Sequence, residues 1–189
     1  MIIILRGTSG SGKSYIVYQA IAALGPHDET FTLGPKNKLG GYLWHGPRVA
    51  VVGRYETACG GCDAFSWPGA ADEIAARCRE LETAGYRVIL EGLLVSEWGV
   101  KRLAALGQDL AVVHLKTDLK DCLHAVQDRR DARAKAKGTE ASPLNPNNTT
   151  RKYNAFISNT RRQRAYGIKI EELDRDAARE RVFELLELR

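Results

Sequence analysis

Six residues into the chain, directly after MIIILR, the sequence reads GTSGSGKS, from Gly7 to Ser14. It satisfies G-x-x-x-x-G-K-[ST] at every fixed position, and that pattern works only where a buried strand turns into a helix. Both flanks comply. Ile2 to Leu5 are an apolar, β-branched run suited to a core strand. From Ser14 onward Ile16, Val17, Ala20, Ile21 and Leu24 recur at helical spacing. Gly7, Gly10 and Gly12 let the backbone curl so that the N–H groups of Gly7, Thr8, Ser9, Gly10, Ser11 and Gly12 turn inward. Aided by the positive end of the helix dipole, they form a cradle for phosphate oxygens. Lys13 is placed to reach the β- and γ-phosphates of a nucleoside triphosphate, and the Ser14 hydroxyl to ligate Mg²⁺. The motif names the ligand and leaves the reaction open.

Beyond this unit, strand-like and helical runs alternate. Core strands are expected at Arg48 to Val52, Tyr86 to Leu90, Leu110 to Leu115 and Tyr166 to Ile170. Helices are expected at Ala70 to Ala84, Val95 to Leu106, Asp118 to about Lys135, Thr149 to Arg164 and Asp176 to Leu188. Thr30 to Leu33 and Gly41 to Trp44 read as a hairpin or irregular insertion. Such alternation predicts an α/β fold with a doubly wound, mainly parallel sheet of about five strands. With 189 residues, 44% of them hydrophobic, the chain suits a single domain, 1–189, with a sizeable core. No apolar run approaches the roughly 20 residues of a membrane span, and the N-terminus has no signal-peptide layout.

Ligands of doubly wound sheets bind beyond the carboxyl ends of the strands. After the third core strand comes VILEG, where Glu91 is placed to hold Mg²⁺ or to position the attacking group. After the second comes GRYETACGGCDAFSW. Phosphoryl transfer to a hydroxyl needs a carboxylate that orients the acceptor and takes its proton; Asp63 and Glu56 are the candidates. Arg54 lies beside them, and Tyr55 and Trp67 offer rings on which a base can stack. Cys59 and Cys62 form a CxxC, but a zinc site needs four ligands and no second pair exists. Small side chains in a turn are the simpler reading. The four cysteines make no disulfide scaffold, and we expect reduced thiols in a cytoplasm.

The formal net charge of +5 is concentrated. Between Gln127 and Arg164, ten basic residues face three acids. Arg129, Arg130 and Arg133 end a helix before the loose stretch GTEASPLNPNN, a layout suited to a lid that closes over a triphosphate and excludes water. Arg151, Lys152, Arg161, Arg162 and Arg164 follow on the next helix. So dense a patch suits phosphate, on a nucleotide or along a nucleic acid.

These motifs resemble the nucleoside and nucleotide kinases of the P-loop class, thymidylate kinases among them. The resemblance implies a three-layer α/β/α fold, ATP with Mg²⁺, a phosphate acceptor, and an arginine-rich lid at about 127–165. The acid–x–arginine motif of deoxynucleoside kinases is missing after the second strand, as is a thymidylate-kinase monophosphate motif, so the acceptor does not carry over. Gly53–Tyr55 with Gly60–Ser66, G-R-Y…G-G-C-D-x-F-S, is similar to the phage kinases that act on 5-hydroxymethyluracil in DNA. That resemblance implies phosphorylation of the base's hydroxymethyl group within the polymer, a step towards hypermodified thymidines, in the host cytoplasm. Arg151, Lys152, Arg161, Arg162 and Arg164 would then grip the DNA backbone. A kinase of free deoxynucleosides or their monophosphates, and a nucleic-acid-binding ATPase, remain the alternatives.

Overall fold

The computed structural model describes residues 1–57 and 60–188. The elements run β1 (Ile2–Arg6), α1 (Lys13–Leu24), β2 (Glu29–Leu33), β3 (Lys38–Trp44), β4 (Val49–Val52), α2 (Ala70–Thr83), β5 (Arg87–Glu91), α3 (Leu93–Ser96), α4 (Val100–Ala104), β6 (Leu110–Leu115), α5 (Leu119–Ala136), α6 (Pro146–Ala165), β7 (Ile170–Leu173) and α7 (Arg175–Leu186). They form one sheet in the order β2-β3-β4-β5-β1-β6-β7. β4, β5, β1, β6 and β7 are parallel, while β2 and β3 are antiparallel.

Because side chains alternate along a strand, β1 feeds two cores. Ile2 and Ile4 pack with Ile74, Cys78 and Leu81 of α2 and with Leu103 of α4. Ile3 and Leu5 pack with Ile16, Val17 and Ala20 of α1 and with Ala178 and Val182 of α7. Helices therefore cover both faces. Within the sheet, β1 lies between β5 and β6, so the segments leaving β5 and β6 diverge around the end of β1. A crevice opens there, as at any such switch point, with the glycine-rich loop at its centre.

The strand count differs from the expected five: seven strands form the sheet. The hairpin continues the sheet beyond β4 because Gly40 and Gly41 allow close stacking. A Cβ on Gly41 would stand 2.2 Å from the Val51 carbonyl oxygen and 2.6 Å from the Phe31 ring. The last strand begins at Ile170 rather than Tyr166. Helix α6 runs to Ala165, and Gly167, at φ +81°, turns the chain while the Ile168 N–H bonds back to Gln163. The helix expected over Val95 to Leu106 is two short ones, α3 and α4. Gly99 sits in an extended conformation between them, and the adjacent Trp98 carbonyl accepts from the Gln163 amide. Among the described residues no helix is long and apolar enough to cross a membrane.

Two helices stand apart from the layered core. α5 buries only Cys122 and Val126, and α6 only Phe156, Thr160 and Gln163. They form a strap over the crevice. Beneath α6 the Arg6 guanidinium is fully buried, donating to Gln163 Oε1 and to the Ser96 carbonyl, with the Phe156 ring 5.0 Å from it. Burial lowers Arg6 to about 10, which leaves it charged at neutral pH.

Candidate active site

The glycine-rich loop is held from outside as well as by its own turns. Gly10 has φ +86°, and a Cβ there would lie 2.4 Å from the Cys122 carbonyl oxygen of α5. Any side chain would force α5 away from the loop. The Thr8 hydroxyl donates to Cys122 Sγ at 3.2 Å. Lys13 is buried and folds back on the loop, its Nζ donating to the carbonyls of Gly7 at 2.8 Å and Thr8 at 2.9 Å. Burial lowers its pKa, while Glu91 and Asp63 pull it upward. The Ser11 hydroxyl is buried with no hydrogen-bond partner. A cradle closed to side chains, a buried amine at its lip and an orphaned hydroxyl fit a polyphosphate.

Glu91 ends β5 in register with Leu5 of β1, which sets it beside the loop. It is buried, and its Oε1 accepts from the Ser14 hydroxyl at 2.8 Å and from the Tyr55 hydroxyl at 3.5 Å. Burial raises its pKa; Lys13 and the Ser14 hydrogen bond oppose that rise. Gly61 is required here, since with φ +93° its Cβ would fall 2.3 Å from Glu91 Oε1. A hydroxyl and a carboxylate in contact are the donor set a Mg²⁺–phosphate complex uses, so the pair fits that ion. Asp63 stands opposite on a single turn, Cys62–Ala64. Its Oδ1 accepts from the Leu94 N–H at 3.0 Å, at the start of α3, and its side chain is exposed. Lys13, Ser14, Asp63, Glu91 and Arg129 line one cleft of about 420 Å³.

A second cavity of about 360 Å³ adjoins it, lined by Arg129, Arg130, Arg133 and Lys152 of the strap with Thr8 and Ser9 of the loop. The four cations are not equivalent. Arg130 donates to the carbonyls of Pro143 (3.1 Å) and Ser142 (3.4 Å), which ties α5 to the segment leading into α6. Arg151 lies on the outer surface with its guanidinium on Asn148 Oδ1 at 3.2 Å. Arg164 bonds Glu172 at 3.0 Å and the Ile170 carbonyl, fastening α6 to β7.

The loop after β4 divides its residues differently from the sequence reading. Arg54 and Glu56 pair with each other at 2.6 Å and line neither cleft. Tyr55 is buried between Tyr18 and Glu91, so its ring faces are covered. Trp67 packs on the hairpin side: its indole lies against Gly34, its N–H donates to Glu73 at 2.9 Å and Phe65 is 5.3 Å away. Neither ring lines the reaction cleft; the aromatic that does is Tyr15. Tyr15 directly follows Ser14 and is half exposed, with the Arg175 guanidinium 5.6 Å from its ring. Its position next to the motif is the available signal, whereas nothing in the sequence singles out Arg175. Cys59 lies outside the described residues. Cys62 is buried with Sγ on the Val52 carbonyl, and burial raises its pKa.

Comparison with known proteins adds one full-length likeness. The chain is 36% identical over 192 aligned residues to a protein of Pseudomonas phage PaMx11 named 5-hmdU DNA kinase; the match covers 98% of this chain and 97% of that one. No family model matches.

Proposed function

The chain belongs to the family of 5-hmdU DNA kinases, and on that premise we propose that it transfers the γ-phosphoryl group of ATP to the hydroxymethyl oxygen of 5-hydroxymethyluracil in DNA. The observation that carries this reading is the shared cleft. Lys13, Ser14, Glu91 and Asp63 meet there beside a strap whose cavity has cations and no carboxylate in its lining. In this reading 1–189 is one P-loop kinase domain with three layers, and residues about 127–165 are its arginine-rich lid. The work is done where ATP and phage DNA meet, in the host cytoplasm.

The loop amides from Gly7 to Ser14 hold the triphosphate, and Lys13 leaves the Gly7 and Thr8 carbonyls to meet its outer oxygens. Ser14 and Glu91 would hold Mg²⁺, which neutralises charge on the β- and γ-phosphates when bound. The acceptor oxygen forms a bond to the γ-phosphorus as the bond to the ADP oxygen breaks. The acceptor's proton passes to Asp63, whose Oδ2 is left by the Leu94 contact at Oδ1. Glu56 is less well placed, being paired with Arg54 outside the cleft. Arg129 lines the cleft from the strap side and faces the charge that develops on the phosphoryl oxygens.

The test is γ-labelled ATP with Mg²⁺ and four acceptors: 5-hydroxymethyluracil DNA, unmodified DNA, free deoxynucleosides and deoxynucleoside monophosphates. Lys13→Ala runs as the control. Label recovered on the base of hydroxymethylated DNA alone is the expected result. Label confined to a small molecule would make this a nucleotide kinase, and phosphate released to water without any labelled acceptor would make it an ATPase.

A further inference from the structure

We propose that the cavity between α5 and α6 binds one phosphodiester of the DNA strand, the one adjoining the target nucleotide, and thereby anchors that nucleotide outside the duplex. This rests on the DNA-kinase reading above and adds where the polymer is held. Arg129, Arg133 and Lys152 line the cavity together with the neutral donors Asn148 and Thr149, and no carboxylate does so. The reaction cleft, by contrast, contains Asp63 and Glu91. A cavity with several cations and no acid selects a multiply charged oxyanion or a phosphodiester over a neutral group.

Its position decides between the two. The triphosphate already has the glycine-rich loop, Lys13 and Ser14. Ser9 and Arg129 line both the cavity and the reaction cleft, so whatever fills the cavity lies next to the reacting groups. For a polymer carrying its hydroxymethyl group in the cleft, the adjoining group is the nearest backbone phosphate. The cavity is bounded by the loop, α5 and the segment entering α6, and about 360 Å³ admits a phosphodiester with its sugar but not a duplex. The bound nucleotide is therefore unstacked, as for other enzymes that act on a base.

The test uses duplexes with a single 5-hydroxymethyluracil in which one linkage at a time, within two of the target on either side, is an uncharged methylphosphonate. Wild-type protein is expected to show KM for DNA raised about 10-fold at one of the two linkages adjoining the target, with KM for ATP unchanged, the loss expected for a charged hydrogen bond. Lys152→Gln should raise KM on ordinary DNA by a similar factor and lose sensitivity to that linkage alone. Asn148→Ala should show the same pattern in smaller degree. Equal sensitivity to every linkage, full additivity of Lys152→Gln with the neutral linkage, or a penalty on KM for ATP would each overturn the proposal. Phosphorylation of the DNA accompanied by any of these defeats this inference alone. No phosphorylation of any hydroxymethylated DNA by wild-type protein defeats the function reading itself.

Discussion

The two walls of the crevice are built on opposite plans. The acidic wall stands on strand ends: Glu91 is buried, in contact with Ser14 and Tyr55, and backed by a glycine that admits no side chain. The basic wall stands on two helices that bury few residues and turn most of their cations to solvent. Groups that touch the reacting phosphoryl must be held within tenths of an ångström. Groups that meet a polymer's backbone act through longer-ranged charge and tolerate freedom. The contrast sets chemistry, fixed in the core, against recognition, mounted on a strap, with Arg129 lining both cavities and belonging to each.

Lys13→Ala should sharpen that contrast most, lowering kcat by about 10³-fold at saturating DNA. Circular dichroism should show the fold retained, and a loss carried wholly by KM for DNA would break the contrast. Glu91→Gln should follow, with kcat down by about 10²- to 10³-fold. It should also raise Tm at pH 7. Burial raises the Glu91 pKa, so the folded protein keeps this proton to higher pH than the unfolded chain does, and stability falls as pH rises through the folded pKa. The glutamine cannot lose a proton, so thermal melts from pH 4 to 8 should lack that fall.

Asp63→Asn should lower kcat by about 10²-fold and leave Tm near wild type, because the amide oxygen still accepts from Leu94. Glu56→Gln should change kcat less than about twofold, consistent with a surface pair; the reverse order of these two would move the proton acceptor to Glu56. The smallest effect belongs to the strap's outer face. Arg151→Gln should leave kcat unchanged and make the slope of log Kd for DNA against log salt shallower by about 0.9, measured by fluorescence anisotropy.

Sequence reading succeeded where a residue's position follows from its neighbours along the chain. GTSGSGKS and VILEG each lie within one strand-to-loop junction, and both took their expected places beside one crevice. It faltered where tertiary contacts decide. Tyr55 and Trp67 are aromatics in a glycine-rich loop, and nothing local reveals that one is covered by Tyr18 and Glu91 and the other by the hairpin. Arg130 sits in the same helix as Arg129, yet helical rotation turns it to the Ser142 and Pro143 carbonyls. The hairpin was legible as two strands, but not its membership in the sheet, which rests on Gly40 and Gly41 meeting β4 and Phe31. The start of β7 depended on where α6 stops, a matter of Gly167 and its bond back to Gln163.

Helix α5 touches Gly10 and Thr8 through Cys122 at one end and carries Arg129 and Arg133 into the strap at the other. One continuous helix thus joins the donor's seat to the acceptor's. Cys122 and Arg129 stand two turns apart on it, about 10 Å along the helix axis. The length of α5 between those two residues is therefore a ruler that sets how far an anchored phosphodiester would lie from the loop that seats the triphosphate.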